Sequence, residues 1–226
     1  MPEVPVLTID GPSGSGKGTI SRAVARALGW GLLDSGALYR LVALAARRES
    51  VGLDDASGLA RLAERIDIRF GTGPAGEEAV WLGDREVTQD IRTEEAGNDA
   101  SRVAAVPGVR AALLTRQRAF AVPPGLVADG RDMGTVVFPE ALIKIFLTAS
   151  LEERALRRHK QLKEKGVAAT LPALSMEIAE RDRRDTTRPV APLVASAEAV
   201  LLDTTGMSID AVVKRVLSIV RARLGP

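Results

Sequence analysis

The chain has 226 residues, 46% of them hydrophobic, no cysteine, and 31 basic against 29 acidic side chains for a formal charge of +2. That length carries one sizeable core, alone or with a smaller insertion, and no second independent domain is expected. The lack of cysteine excludes disulfides, thiolate metal sites and a cysteine nucleophile and suits a reducing cytoplasm. The interspersed charges give no reason to expect a nucleic-acid polymer, and with no apolar stretch near the roughly 20 residues of a spanning helix, a soluble chain without membrane segment or signal peptide is expected.

In chain order, Val4–Asp10 reads as a short buried strand, and Lys17–Leu28 as a helix with Ile20, Val24, Ala27 and Leu28 on its apolar side. Between them, Gly11, Pro12, Ser13, Gly14, Ser15, Gly16, Lys17, Gly18 and Thr19 have the spacing G-x-x-x-x-G-K with a hydroxyl two places on. Such glycines let the backbone aim its N–H groups inward around an anion, the helix N-terminus reinforces the nest, and Lys17 brings a mobile charge to β and γ phosphates. With a strand before it and a helix after it, the loop reads as a phosphate cradle rather than a plain glycine-rich turn.

Trp30–Asp34 is a candidate second strand and Ala37–Arg48 a helix. The middle then changes character. Ile66–Phe70, Ala79–Leu82 and Arg85–Val87 are short strand-like segments, the last two split by the hairpin signal Gly83-Asp84, and suggest a small antiparallel insertion. Thr93–Val106 and Pro107–Ala121 read as helices, the second opened by a proline and stopped by Pro123-Pro124-Gly125. Leu126–Asp129, Leu142–Leu147 and Ala199–Asp203 are further buried strands. A capping box, Ser150-Leu151-Glu152-Glu153, starts a helix to about Lys165, another helical stretch begins near Leu171, and Ser208 caps the last. Strands alternating with helices predict an α/β fold with a parallel sheet.

Ligands of such sheets sit beyond the carboxyl ends of the strands. Asp34-Ser35-Gly36 follows one strand and Asp129-Gly130-Arg131-Asp132-Met133-Gly134 another. Beside the loop at Gly11 they suit a nucleotide, its metal ion and a second phosphate, although Asp34 alone equally reads as a helix cap. Arg181, Arg183, Arg184 and Arg188 crowd one segment. Alone they read as a solvated helix end, and beside a phosphate cradle as a lid of bidentate phosphate ligands. The basic run Arg154, Arg157, Arg158, Lys160, Lys163 and Lys165 reads chiefly as a solvated face that also holds the single histidine, His159, while Trp30 and Trp81 read as packing residues.

The segments GPSGSGKGT, LLDSGALYR, IRTEEAGNDASRVAAVPGVR, RQRAF, ADGRDMGTVVFP and RDRRDTTRPVAPL, in this order, make the chain resemble the bacterial cytidylate kinase family over nearly its whole length. The first alone marks an NTP-binding protein; the later ones are particular to this family among nucleoside monophosphate kinases. The resemblance implies a P-loop NTPase-type sheet and ATP-dependent phosphorylation of CMP and dCMP with Mg²⁺, by a cytoplasmic monomer. It implies a core over about 1–36 and 107–226, a monophosphate-binding insertion over about 37–106, and a lid over about 154–188. Carried over, Gly11 to Thr19 hold the donor nucleotide; Arg40, Arg131 and Arg188 take the acceptor phosphate; Ser35, Ser101, Arg110, Asp132 and Asp185 serve sugar and base, with Asp132 orienting neighbouring arginines. Lys17, Arg131, Arg181, Arg184 and Arg188 are the implied catalytic cations.

The acceptor phosphate is already largely ionised near neutral pH, so a chain with one histidine lacks nothing the chemistry requires. Cytosine offers acceptors at O2 and N3 and a donor amino group, which Arg110 and either Asp185 or Ser101 complement. Uracil reverses two of these and leaves buried polar groups unpaired. The usual hydroxyl directly after the P-loop lysine is replaced by Gly18, with Thr19 one place later, so the Mg²⁺ ligands are expected to be nucleotide oxygens and waters, with Thr19 and Asp129 as candidates, directly or through water. The alternatives are another small-molecule kinase, for UMP, dTMP or shikimate, and a non-enzymatic nucleotide switch or RNA-binding module. Only 3% aromatic residues speak against base stacking in the last.

Overall fold

The computed structural model describes residues 4–73, 78–164 and 166–224. The chain divides into two compact units, one of Met1–Asp34 with Arg118–Pro226 and one of Ser35–Gln117.

The first unit is built on five parallel strands, β1 (Val6–Asp10), β2 (Gly31–Asp34), β6 (Leu126–Gly130), β7 (Ile143–Thr148) and β8 (Val200–Asp203), ordered β2-β6-β1-β7-β8. All five residues of β1 and of β6 are buried, as expected for parallel strands covered on both faces. On one face Leu7, Ile9, Val127, Ile145 and Leu147 pack against Ile20 and Val24 of α1 (Lys17–Leu28) and Val212, Val216 and Val220 of α8 (Ile209–Leu224). The 3.6-residue spacing of those helix residues is what turns one stripe to the sheet. Trp30 packs against the same core, and a side chain at Gly125 would collide with its ring. The opposite face is polar along β1 and β7, where Thr8, Asp10 and Lys144 are all buried.

Helices α6 (Leu151–Glu164) and α7 (Leu171–Thr187) pack together in this unit. Ser150 accepts from the Glu153 N–H, Thr170 from Ala173 and Ser208 from Ala211, so three of the helix starts carry the side-chain caps that free N–H groups require. The expected end of α6 at Lys165 lies outside the described residues.

The second unit holds α2 (Ser35–Arg48), α3 (Ala56–Arg65), an antiparallel sheet of β3 (Ile68–Thr72), β4 (Glu78–Leu82) and β5 (Arg85–Glu86), then α4 (Glu94–Val103) and α5 (Pro107–Arg118). The last residue of α5, Arg118, already belongs to the first unit. The Gly83-Asp84 turn joins β4 to β5, with Trp81 opposite Glu86 and Leu82 opposite Arg85. Helix α3 has no counterpart in the elements read from sequence. Asp55 caps it by accepting from the Gly58 N–H at 2.8 Å, and it buries Leu59, Leu62 and Ala63. Ser57 and Gly58 weaken helix propensity in its first turn, and burial of the apolar stripe outweighs them.

Candidate active site

The loop after β1 closes at the N-terminus of α1. Gly11 has φ +152° and no room for a side chain, because a Cβ would collide with the Leu147 carbonyl; Gly16, with φ +89°, caps α1 in the left-handed region. These two positions need glycine for different reasons, one for close approach of strand backbone and one for backbone handedness. Ser13 is half-buried and Gly14 exposed, and the Ser15 hydroxyl is fully buried without a hydrogen-bond partner. Lys17 is 9% exposed and donates from Nζ to the Pro12 carbonyl at 3.1 Å, so its ammonium lies over its own loop.

Around Lys17 the first unit gathers most of its charged candidates. Asp129 is the last residue but one of β6 and is buried, and Arg131 directly follows the strand. Arg131 Nε donates to Asp185 Oδ2 at 2.9 Å, and Arg188 Nη2 to Asp132 Oδ1 at 3.5 Å. Burial, then the positive charges of Arg131 and Arg181, push the Lys17 ammonium down to about 7 against the opposing pull of Asp129 and Asp185. Burial raises Asp129 to about 6, with Lys17 opposing. Burial acts to lower Arg131, yet the charge of Asp185 and its hydrogen bond leave it raised and firmly cationic. Buried cations this close repel one another, and a polyanion relieves that repulsion. Arg181 and Arg184 are half-buried on α7, Arg184 with Glu180 at 3.9 Å.

One carboxylate organises this region from beneath. Asp10, the last residue of β1, accepts from the Met133 and Gly134 N–H groups at 2.8 Å each and so fixes the turn that follows Arg131 and Asp132. The spacing of motifs singled out neither Asp10 nor its role; its position at a strand's carboxyl end is the signal that marks it.

The second unit holds the other candidates. Ser35 opens α2 and is buried, and Arg40 is half-buried on the same helix. Ser101 is buried on α4 and Arg110 on α5. Arg110 donates to the Ala104 carbonyl at 3.3 Å and lies over the Tyr39 ring at 5.7 Å, which makes Tyr39 a supporting residue that the sequence reading passed over. Arg47 ties α2 to α4 through Glu95 and Asp99.

The basic run on α6 departs from the solvated face expected of it. Lys160 and Lys163 are exposed and His159 half-exposed, but Arg154 is 6% exposed and Arg157 only partly exposed, both donating into the P-loop backbone. The long guanidinium arms reach past the helix surface to neighbouring carbonyls, a destination that periodicity cannot encode.

For a divalent cation, Asp129 Oδ1 is buried without a hydrogen-bond partner and Oδ2 lies beside Gly18, 3.3 Å from where a Cβ would stand. Thr19 is exposed. No cluster of three potential ligands occurs among the described residues. One spare carboxylate oxygen and one hydroxyl fit an ion carried mostly by nucleotide oxygens and water, the usual habit of Mg²⁺. No helix among the described residues is long and apolar enough to cross a membrane.

A family model described as cytidylate kinase matches residues 7–222. Proteins named cytidylate kinase from Methylococcus capsulatus and Bordetella bronchiseptica are 56% and 57% identical to this chain; the first alignment covers 97% of this chain and 98% of its relative, the second 96% of each. One from Pseudomonas syringae pv. tomato is 56% identical over 98% of this chain and 97% of its own length.

Proposed function

Because the chain belongs to the cytidylate kinase family, we propose that it transfers the γ-phosphoryl group of ATP to CMP or dCMP, giving ADP with CDP or dCDP. The observation that carries the reading is the buried Lys17, its Nζ held over the glycine-rich loop by the Pro12 carbonyl, with Arg131 directly after β6 held by Asp185 at 2.9 Å, both beyond the carboxyl ends of the parallel strands. It acts as a cytoplasmic monomer.

The P-loop from Gly11 to Thr19 receives the donor phosphates on its N–H groups, and Lys17 moves from Pro12 onto their β and γ oxygens. Arg131 and Arg188 bind the acceptor phosphate, a role the family resemblance gives to Arg40 as well, while Asp185 and Asp132 hold the first two guanidiniums in orientation. Ser35, Ser101 and Arg110 read sugar and base. An ionised oxygen of CMP attacks the γ-phosphorus in line, the bond from that phosphorus to the β-γ bridging oxygen breaks, and ADP departs with the electron pair. The protein's contribution is placement and charge neutralisation by Lys17, Arg131, Arg181, Arg184 and Arg188, and a well-placed arginine is worth roughly 10³–10⁵ in rate in phosphoryl transfer. Asp129 and Thr19 would hold Mg²⁺, directly or through water, and the ion when bound withdraws charge from the phosphate oxygens. Residues 154–188 serve as the lid and the insertion over about 37–106 as the monophosphate-binding part; in enzymes of this kind closure of such mobile parts excludes water from the phosphoryl group.

The test is ADP release from ATP and Mg²⁺ with CMP, dCMP, UMP, AMP and shikimate offered separately beside a no-acceptor control. Turnover confined mainly to CMP and dCMP is expected. Preference for another acceptor overturns the base-reading roles, and silence with every acceptor overturns the kinase reading.

A further inference from the structure

The two arginines that α6 sends into the P-loop have partners of one kind. Arg154 Nη1 donates to the Ser13 carbonyl at 3.0 Å, and Arg157 Nη1 to the Ser15 carbonyl at 3.3 Å. They stand three residues apart, so a single helix face delivers both. Each guanidinium is also held by other partners. Arg154 Nε donates to the Ala149 carbonyl at 3.1 Å and Nη1 pairs with Asp182 of α7 at 2.6 Å. Arg157 donates to the Thr204 carbonyl at 2.6 Å, to the Thr204 hydroxyl at 3.1 Å, and to Glu153 at 2.8 Å. The Thr204 hydroxyl lies 3.3 Å from the Ser15 carbonyl, giving that oxygen a second neighbour.

In a planar trans peptide the C=O of one residue and the N–H of the next point in opposite directions. A carbonyl of Ser13 drawn toward α6 turns the Gly14 N–H away from it, and a carbonyl of Ser15 drawn the same way turns the Gly16 N–H away too. We propose that Arg154 and Arg157 are positioning residues which aim the Gly14 and Gly16 N–H groups at the donor phosphates by holding the Ser13 and Ser15 carbonyls on the outside of the loop. The role rests on the kinase reading above. Neither arginine touches a reacting atom; each acts through the backbone. The Asp182 pair adds a consequence, because Asp182 sits between Arg181 and Arg184 on α7, so the same guanidinium sets the cradle and steadies the helix that carries the lid cations.

Preorganised donors are worth more than donors that must turn at the moment of binding. Replacement by lysine keeps the charge and removes the fork, so it separates aim from charge. Arg154→Lys, Arg157→Lys and Arg157→Met are compared with wild type and with Lys163→Ala, an exposed change on the same helix. Calorimetric Kd values are measured for ATP and for inorganic tripolyphosphate, KM for ATP and CMP, and ¹⁵N–¹H shifts for Gly14 and Gly16. Expected are about tenfold weaker ATP and tripolyphosphate binding, a CMP KM within about twofold of wild type, and displaced Gly14 and Gly16 amide signals. Unchanged tripolyphosphate affinity with undisturbed glycine amides overturns the proposal. So does a parallel loss for ATP and CMP with a lowered Tm in the lysine variants, the signature of general destabilisation. Wild-type turnover with CMP reports on the kinase reading separately: if it fails while tripolyphosphate binding still responds to these variants, the reading falls and the aiming role stands.

Discussion

Arg131 and Asp185 meet at 2.9 Å, Nε to Oδ2, with side chains only 16% and 5% exposed. The arginine follows β6 and the carboxylate sits near the end of α7, so the pair ties two segments far apart in sequence. An arginine meant for a phosphate must be held without being neutralised; Nε is engaged by Asp185 and Nη1 donates to the Gly130 carbonyl at 3.2 Å, which leaves Nη2 as the donor to offer a ligand.

The first prediction concerns that tie. Asp185→Ala strands a buried guanidinium, and breaking such a pair by removing one partner costs about 3–5 kcal/mol. The variant is expected to unfold at clearly lower urea and to lose about 100-fold or more in kcat/KM for CMP. Asp185→Asn keeps an oxygen acceptor and recovers part of both losses. Urea unfolding and CMP kinetics on the three proteins decide it. An Ala variant that matches wild type in both would mean that Asp185 does not hold Arg131.

Much of this architecture is legible in the sequence where local and global preferences agree. The α1 bounds, Lys17 and Leu28, fall where apolar spacing puts them, Pro107 opens α5, and the Gly83-Asp84 turn joins β4 to β5. The P-loop and the charged segments after β2 and β6 follow from their place at strand ends. Helix α3 escapes because its first turn carries Ser57 and Gly58, and only burial of Leu59 and Leu62 reveals its stripe. Arg154 and Arg157 escape for another reason. A long cationic arm on a helix has the same local pattern whether it enters water or crosses to a carbonyl, and the partners lie 141 and 142 residues away. Asp10 is similar, since its partners at Met133 and Gly134 exist only once β1 and β6 lie side by side.

The second prediction concerns base choice. Arg110 lies over the Tyr39 ring at 5.7 Å and is 7% exposed. A cation held by an aromatic face gains about 0.5–2 kcal/mol and, with it, a fixed plane. Tyr39→Leu is expected to raise KM for CMP by roughly five- to tenfold, to narrow the preference for CMP over UMP, and to leave KM for ATP unchanged. Tyr39→Phe keeps the ring and stays near wild type. If the leucine variant discriminates as well as the parent, the ring plays no part in orienting Arg110.

The third prediction concerns the metal. Asp129 Oδ1 has no hydrogen-bond partner and the group is buried. Replacing it by asparagine removes a charge while keeping the shape. Half-saturation of turnover by Mg²⁺ is expected to rise by about tenfold, in the range seen when outer-shell partners of a metal are lost. It is read by titrating Mg²⁺ at fixed ATP and CMP. An unchanged Mg²⁺ dependence would remove Asp129 from the metal's surroundings.

The fourth prediction concerns pH. Burial pushes Asp10 up to about 7; the N–H groups of Gly134 and Met133 oppose the rise, and the carboxylates of Asp132 and Asp129 reinforce it. A carboxyl whose folded pKa lies above its unfolded value holds its proton more tightly in the folded chain. Its contribution to stability is therefore full below the unfolded pKa of about 4 and is lost as pH rises through about 7. Across that window the slope from one group is at most about 1.4 kcal/mol per pH unit. Asp10→Asn carries no titrating proton, so its stability should lack this component, although its amide N–H groups face the two backbone donors and lower stability at every pH. Urea midpoints for parent and variant between about pH 4.5 and 7.5 give the difference directly. The gap between the two proteins is expected to be widest at the acid end and to shrink toward neutrality. A constant gap would mean that Asp10 is ionised throughout, held charged by the Met133 and Gly134 N–H groups against the cost of its burial.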